Sequence, residues 1–102
     1  MVKHIIVWTL KDMPEDEKEN VKAGVKAGLE GLMGKIPGLL SIKVIADGRL
    51  DTCNSDLMLD SAFESPEALK GYIAHPDHVA VATTKVRPFM SIRSSFDYEI
   101  SE

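Results

Sequence analysis

The segment from Lys3 to Lys11 constrains the fold more than any other part of the chain. Residues typical of strands dominate it, and both of its alternate sets are largely apolar: His4, Ile6, Trp8 and Leu10 form one set, and Ile5, Val7 and Thr9 form the other. Successive side chains of a strand point to opposite faces of a sheet. The pattern therefore predicts a strand that is covered on both sides.

A long amphipathic helix is predicted after this strand. Asp12, Pro14 and Glu15 have the composition of a helix start, with a capping aspartate, a first-turn proline and an early acid. Apolar residues then recur at helical spacing: Val21, Val25, Leu29, Leu32, Met33 and Ile36. We expect the helix to end near Gly34. Three more glycines lie on one flank of the apolar stripe: Gly24, Gly28 and Gly31. Their missing side chains allow either close packing or contact with a ligand.

Two further strands are predicted in the middle of the chain. Apolar and polar residues alternate from Leu40 to Ala46, after a Pro-Gly turn, and again from Leu57 to Phe63. The polar stretch from Arg49 to Ser55 separates them as a loop. The two strands are placed to pair as a hairpin.

Two helix-start signals follow the hairpin. Residues 65–67 (Ser-Pro-Glu) predict a short helix through Ile73, and residues 75–77 (His-Pro-Asp) repeat the signal. Val79, Ala82 and Val86 are therefore interpreted as a helical stripe rather than a strand. The segment from Met90 to Ile100 has the cleanest two-residue period in the chain and predicts a fourth strand.

The predicted order βαββαβ is that of a ferredoxin-like α+β fold, with a four-stranded antiparallel sheet and helices on one face. A length of 102 residues predicts a single domain, residues 1–102. Such a sheet leaves its second face bare, yet the first strand is apolar on both sides. A second copy of the chain is the simplest cover, so we expect a homodimer.

Charge and composition exclude several classes of partner. The net charge is −4 and lysines and arginines form no basic stripe, so nucleic acid is not expected as a partner. The apolar runs are too short to span a membrane, and no secretory leader is recognised near the N-terminus. The single cysteine, Cys53, cannot form an intrachain disulfide. We therefore expect a cytoplasmic protein.

Five segments together carry a family resemblance: Val-Lys-His-Ile-Ile-Val at 2–7, Phe-Glu-Ser-Pro-Glu-Ala-Leu at 63–69, Tyr-Ile-Ala-His-Pro-Asp-His-Val at 72–79, Val-Arg-Pro at 86–88 and Phe-Asp-Tyr at 96–98. The chain resembles the stress-responsive A/B barrel family, also called the dimeric α/β barrel or Dabb domain. The resemblance implies a stress-response protein in which two ferredoxin-like sheets close face to face into a dimeric α/β barrel. Some members resemble polyketide cyclases, and their catalytic tyrosine and histidine correspond to Tyr72 and His78.

The chemistry of the same residues supports two interpretations. His78 titrates near neutral pH and lies at a predicted helix start, which disfavours imidazolium, so it can act as a general base. Tyr72 can donate its hydroxyl to a carbonyl or enolate oxygen. The structural alternatives are a hydrogen-bonded, half-buried His78 and a core aromatic ring at Tyr72. His4 is either a hydrogen-bonded core histidine or part of the site, and His75 is interpreted as a helix cap.

These residues predict a pocket between the helices and the sheet that binds a small aromatic or polyketide-like carbonyl compound. Its predicted lining comprises the catalytic candidates Tyr72 and His78 and the ligand-binding candidates His4, Ile6, Trp8, Leu59 and Arg93. Two functions of different classes stay open. One is a cofactor-independent cyclase or lyase, and the other is a non-enzymatic, stress-associated dimer.

Metals and cofactors are not expected. His75 and His78 have the spacing of metal ligands, but zinc needs three or four ligands and His4 is the only other histidine. No glycine-rich nucleotide motif, Walker motif or nucleophile elbow occurs.

Overall fold

A computed structural model of the chain describes residues 1–101. The elements follow in the order β1 (Val2–Leu10), α1 (Glu15–Glu30), β2 (Leu39–Ile45), β3 (Leu57–Phe63), α2 (Pro66–Ala74), α3 (Pro76–Val81) and β4 (Met90–Glu99). A π-helical turn at Ala82–Val86 and a 3-10 turn at Arg87–Phe89 connect α3 to β4. This is the βαββαβ order that the sequence predicts.

The four strands form one antiparallel sheet in the order β2-β3-β1-β4. Even-numbered residues of β1, from Val2 to Leu10, are buried against the helices, and they share a core with Leu29, Phe63 and Tyr72. The odd-numbered residues of β1 are half-buried on the opposite face. The ferredoxin-like fold is thereby confirmed.

The face of the sheet opposite the helices carries apolar side chains of β4. Phe96 pairs with Ile5 across the sheet, and Tyr98 pairs with Lys3. Phe96 is 69% exposed, Ile92 60% and Tyr98 44%. The single chain therefore leaves a contiguous apolar surface uncovered. None of the helices within residues 1–101 is long and apolar enough to cross a membrane.

Side-chain caps fix the starts of α2 and α3. The Ala68 N–H donates to Ser65 Oγ at 3.1 Å, and the Asp77 N–H donates to His75 Nδ1 at 3.1 Å. These contacts confirm the two predicted start signals and the role of His75 as a cap. The segment that contains Val79 is helical as predicted, but Val79 itself is 38% exposed.

The start of α1 differs from the prediction. The helix begins at Glu15, and the capping position belongs to Pro14, which makes no side-chain cap hydrogen bond. Asp12 lies two residues before that position and is exposed, so the predicted aspartate cap is wrong. Acids of the first turn, Glu15, Asp16 and Glu17, favourably face the positive end of the helix dipole instead.

The end of α1 is also earlier than predicted. The helix stops at Glu30, and a turn follows in which Gly34 has a φ of +87°, in the left-handed region that favours glycine. Within α1, a Cβ on Gly28 would lie 2.9 Å from Val81 Cγ1. Close packing against α3 is therefore what requires glycine at position 28.

Strand β2 contains a bulge that the alternation of its sequence conceals. Leu39 pairs with Phe63 and Ser41 pairs with Ala62, so Leu40 has no partner in the register. Leu39 is buried and Leu40 is 43% exposed. The sequence predicts Leu40 on the buried face, and the extra residue of the bulge reverses that assignment.

Side chains of α1 bond the outer edge of β2. Lys26 Nζ donates to the Val44 carbonyl oxygen at 2.9 Å, and the Val44 N–H donates to Glu30 Oε2 at 2.9 Å. Lys26 and Glu30 also pair with each other at 2.8 Å. The backbone of an edge strand, which is otherwise unpaired, is thus satisfied at this residue.

Candidate functional site

A cavity of about 270 Å³ lies between the helical layer and the β1–β4 half of the sheet. The structure brings all of the sequence-predicted site residues to its wall: His4, Ile6, Trp8, Leu59, Tyr72, His78 and Arg93. The rest of the lining is mostly apolar and includes Leu29, Val86 and Met90. Its volume is near the lower end of the roughly 300–1,000 Å³ typical of ligand pockets.

Tyr72 lines this cavity and has a buried hydroxyl. The Ser65 cap fixes the start of α2, and the spacing of Leu69 and Tyr72 directs both side chains into the core. Tyr72 is 1% exposed, and its hydroxyl has no hydrogen-bond partner within residues 1–101. Burial raises the pKa of Tyr72 to about 12, against a smaller lowering by the positive charge of Arg93. The hydroxyl is therefore protonated near neutral pH and is free to donate.

His78 stacks beside Tyr72, with ring centroids 4.2 Å apart. In an unbroken helix the Ile73 carbonyl would accept from the Asp77 N–H, but that N–H is bonded to His75. The freed carbonyl oxygen of Ile73 lies 3.1 Å from His78 Nδ1. Because a carbonyl can only accept, Nδ1 carries the proton in the neutral ring. Nε2 is then the unprotonated acceptor.

The environment of His78 favours this neutral form. Burial lowers its pKa most, and the positive charges of Arg87, His4 and Arg93 lower it further, whereas the hydrogen bond to Ile73 raises it. The sequence predicts the same direction from the helix start alone. The structure attributes it to burial and to charges brought from distant parts of the chain.

His4 is hydrogen-bonded as well as adjacent to the cavity. It is 3% exposed, and its Nδ1 lies 2.5 Å from Asp97 Oδ1 on the neighbouring strand. The ring also meets Tyr72 edge-on, with centroids 6.1 Å apart. The interpretation of His4 as a hydrogen-bonded core histidine is therefore supported, and its ring still contributes to the cavity wall.

Two residues next to the site, Asp97 and Arg87, were not predicted from the sequence. Asp97 faces His4 because these residues pair in the β1–β4 register, and Arg87 reaches the cavity from the 3-10 turn. The period of β4 places Asp97 on the same face as Arg93, but only the register shows which residue of β1 it meets.

The described residues 1–101 hold no group of three or more histidines, cysteines or acids that could bind a metal ion. Cys53 is exposed in the loop between β2 and β3 and does not line the cavity.

Comparisons with known proteins agree with this architecture. The family model described as the stress responsive A/B barrel domain (Dabb) matches residues 2–100. A dimeric protein of unknown function and ferredoxin-like fold from Bacteroides fragilis is 31% identical, with coverage of 97% of this chain and 95% of that chain and a TM-score of 0.89.

Two other solved structures are similar over nearly their whole length. A protein from Arabidopsis thaliana is 26% identical, with coverage of 100% of this chain and 97% of that chain and a TM-score of 0.74. A Dabb family protein with a ferredoxin-like fold from Mesorhizobium loti is 22% identical, with coverage of 99% and 97% and a TM-score of 0.75. No curated protein matches the chain.

Proposed function

The chain belongs to the stress responsive A/B barrel (Dabb) family, and from this premise we propose that it is a homodimer whose cavity binds a small apolar carbonyl compound. One observation carries the proposal. The Tyr72 hydroxyl is buried without a partner among residues 1–101, beside a histidine whose environment favours its neutral form. A buried polar group of this kind is unfavourable to the fold alone and favourable to a ligand that accepts from it.

The uncovered face of the sheet supports the homodimer. Ile92, Phe96 and Tyr98 are all more than two-fifths exposed on one surface, where a second sheet packed face to face would bury them. The relative from Bacteroides fragilis is dimeric and covers nearly the same length of chain.

A pair of variants on one strand tests the dimer. Phe96→Asp places a carboxylate in the proposed interface and should give a monomer in light scattering at micromolar concentration, because a buried unpaired charge costs several kcal/mol. Ser95→Asp is the matched control, since Ser95 pairs with Ile6 and points to the helix side. It should stay dimeric. A monomeric wild type at tens of micromolar would refute the dimer.

In the proposed enzyme, an acid–base reaction is divided between two side chains. Nε2 of His78 takes a proton from carbon next to the ligand carbonyl, and the Tyr72 O–H donates a hydrogen bond to the enolate oxygen that forms. The apolar wall, which includes Trp8 and Leu59, holds the body of the ligand. In this form the protein is a cofactor-independent cyclase or lyase acting on a polyketide-like compound.

A stress-associated dimer without chemistry is the second candidate. It is favoured by the hydrogen bonds of His4 to Asp97 and of His78 to Ile73, because histidines bonded in this way also occur as ordinary parts of a fold. The stress-related role and the cytoplasmic location stay predictions under either candidate.

Substitution of His78 discriminates the two candidates. His78→Ala should lower turnover of a cyclisable polyketide-like substrate by roughly 10² or more while circular dichroism shows an intact fold. Val79→Ala, one position along α3 and outside the cavity wall, is the control and should keep full turnover. A wild type with no turnover and no thermal shift across a panel of aromatic carbonyl compounds favours the structural dimer, as does loss of folding in His78→Ala.

A further inference from the structure

The charge at the cavity is opposite to the charge of the chain. The chain has 16 acidic residues against 12 basic ones, yet no aspartate or glutamate of residues 1–101 lines the cavity. Two of the three arginines of the sequence, Arg87 and Arg93, do line it, together with His4 and His78. Asp97, which bonds His4, is not part of the wall. The lining therefore combines an apolar surface with localised positive charge.

The two arginines come from different elements and converge on one site. Arg93 pairs with Trp8 across the sheet, so its side chain leaves the sheet on the helix side, and Arg87 begins the 3-10 turn before β4. Neither forms an ion pair or a side-chain hydrogen bond with another residue of the range 1–101. Both line the cavity and both are exposed, so these two residues form part of the wall where the cavity meets solvent, its rim.

We propose that the cavity selects an apolar carboxylate, whose anionic group is held at the rim by Arg87 and Arg93 and whose apolar body lies against Trp8 and Ile6. The inference rests on the proposed function, because it requires that the cavity bind a small molecule. Beyond the proposed function, it specifies that the ligand is negatively charged and that Arg87 and Arg93 bind its charged group.

A carboxylate fits this rim for chemical reasons. The guanidinium group presents parallel N–H donors that match the two oxygens of a carboxylate, and it is always charged. The cavity volume of about 270 Å³ and its apolar wall suit a compact ring or short alkyl chain with one charged end. Because solvent screens charges at an exposed rim, we expect selectivity of about five- to tenfold rather than several orders of magnitude.

The test compares 4-propylbenzoate with 4-propylbenzamide, which have nearly the same shape and differ in charge. Calorimetric titration of the wild type should show the carboxylate binding about five- to tenfold more tightly than the amide. The double variant Arg87→Gln, Arg93→Gln should bind both compounds equally. Arg49→Gln removes the third arginine, which bonds Ser55 outside the cavity, and should keep the wild-type selectivity.

The outcomes separate this inference from the proposed function. If the amide binds the wild type as tightly as the carboxylate, charge selection is refuted while ligand binding stands. Selectivity retained in the double variant, or lost equally in Arg49→Gln, refutes the assignment of the two arginines. If neither compound binds at millimolar concentration and the wild type shows no thermal shift with any aromatic carbonyl compound, both proposals are overturned.

Discussion

Replacement of Tyr72 by phenylalanine removes one buried hydroxyl and leaves the aromatic packing in place. The ring lies 4.9 Å from Phe63 and 4.2 Å from His78, measured between centroids, and these contacts do not involve the hydroxyl. A buried polar group without a hydrogen bond costs about 1–3 kcal/mol. Because Tyr72 lines a cavity instead of lying wholly within close-packed core, we expect the low end of this range. Tyr72→Phe should raise the free energy of unfolding by about 1 kcal/mol and weaken ligand binding.

Urea and thermal unfolding measure the change in stability. For a chain of this size, about 1 kcal/mol corresponds to a rise in melting temperature of roughly 4–8 °C. All samples need the same protein concentration, because dimer formation contributes to apparent stability. Ser95→Ala removes an exposed hydroxyl on the helix side of β4, away from the proposed dimer interface, and should change stability by less than about 0.5 kcal/mol.

The opposite result would refute the reasoning. If Tyr72→Phe loses about 1 kcal/mol or more while Ser95→Ala is neutral, the hydroxyl of Tyr72 is a bonded structural group. The role of that hydroxyl as a free donor to a ligand would then be abandoned.

Two further predictions concern the helices beside the cavity. Gly24→Ala should stabilise α1 by up to about 1 kcal/mol, because a Cβ at this position lies 4.0 Å from its nearest neighbour, Lys85. A Cβ on Gly28 lies 2.9 Å from Val81, so Gly28→Ala should be less stable than Gly24→Ala by about 1–2 kcal/mol in urea unfolding. Equal stability of the two variants would contradict the close packing of α1 on α3. In the folded chain the pKa of His78 is lowered from its ordinary value of 6.5. The unfolded chain therefore binds more protons than the folded chain as the pH falls through 6.5, and the wild type should lose stability over that range. His78→Asn should remove this part of the loss, and identical pH dependence in both proteins between pH 7.5 and 5.5 would show that His78 does not contribute.

Local interactions explain which elements the sequence predicts well. The caps at Ser65 and His75 involve acceptors and donors within three residues, so the short sequence pattern contains the whole interaction. Asp12 is a residue type that commonly caps helices, but Pro14 occupies the capping position of α1. The path of the chain from Asp12 to Pro14 determines where the helix begins. At Leu40 the bulge depends on pairing with β3, which no window within β2 reveals.

The sequence predicts which face of the sheet the site residues occupy, but not which residues they contact. Alternation along β1 groups His4, Ile6 and Trp8 on one side, and the structure places all three at the cavity. The bond between His4 and Asp97 depends on the β1–β4 register, where a shift of one residue would move Asp97 to the other face. The neutral state of His78 was expected for a local reason, while most of its cause is burial by elements far along the chain.

The contacts of Lys26 and Glu30 with Val44 affect how copies of the chain can join. A sheet with two free edges can add strands in both directions and grow into a fibre. Here the β2 edge is occupied at Val44 by side chains of α1, and among residues 1–101 no side chain bonds the backbone of β4 in the same way. A strand added at the β2 edge would first have to displace these two side chains, so the contact of α1 opposes growth of the sheet in that direction and leaves the face-to-face contact proposed for the dimer unaffected.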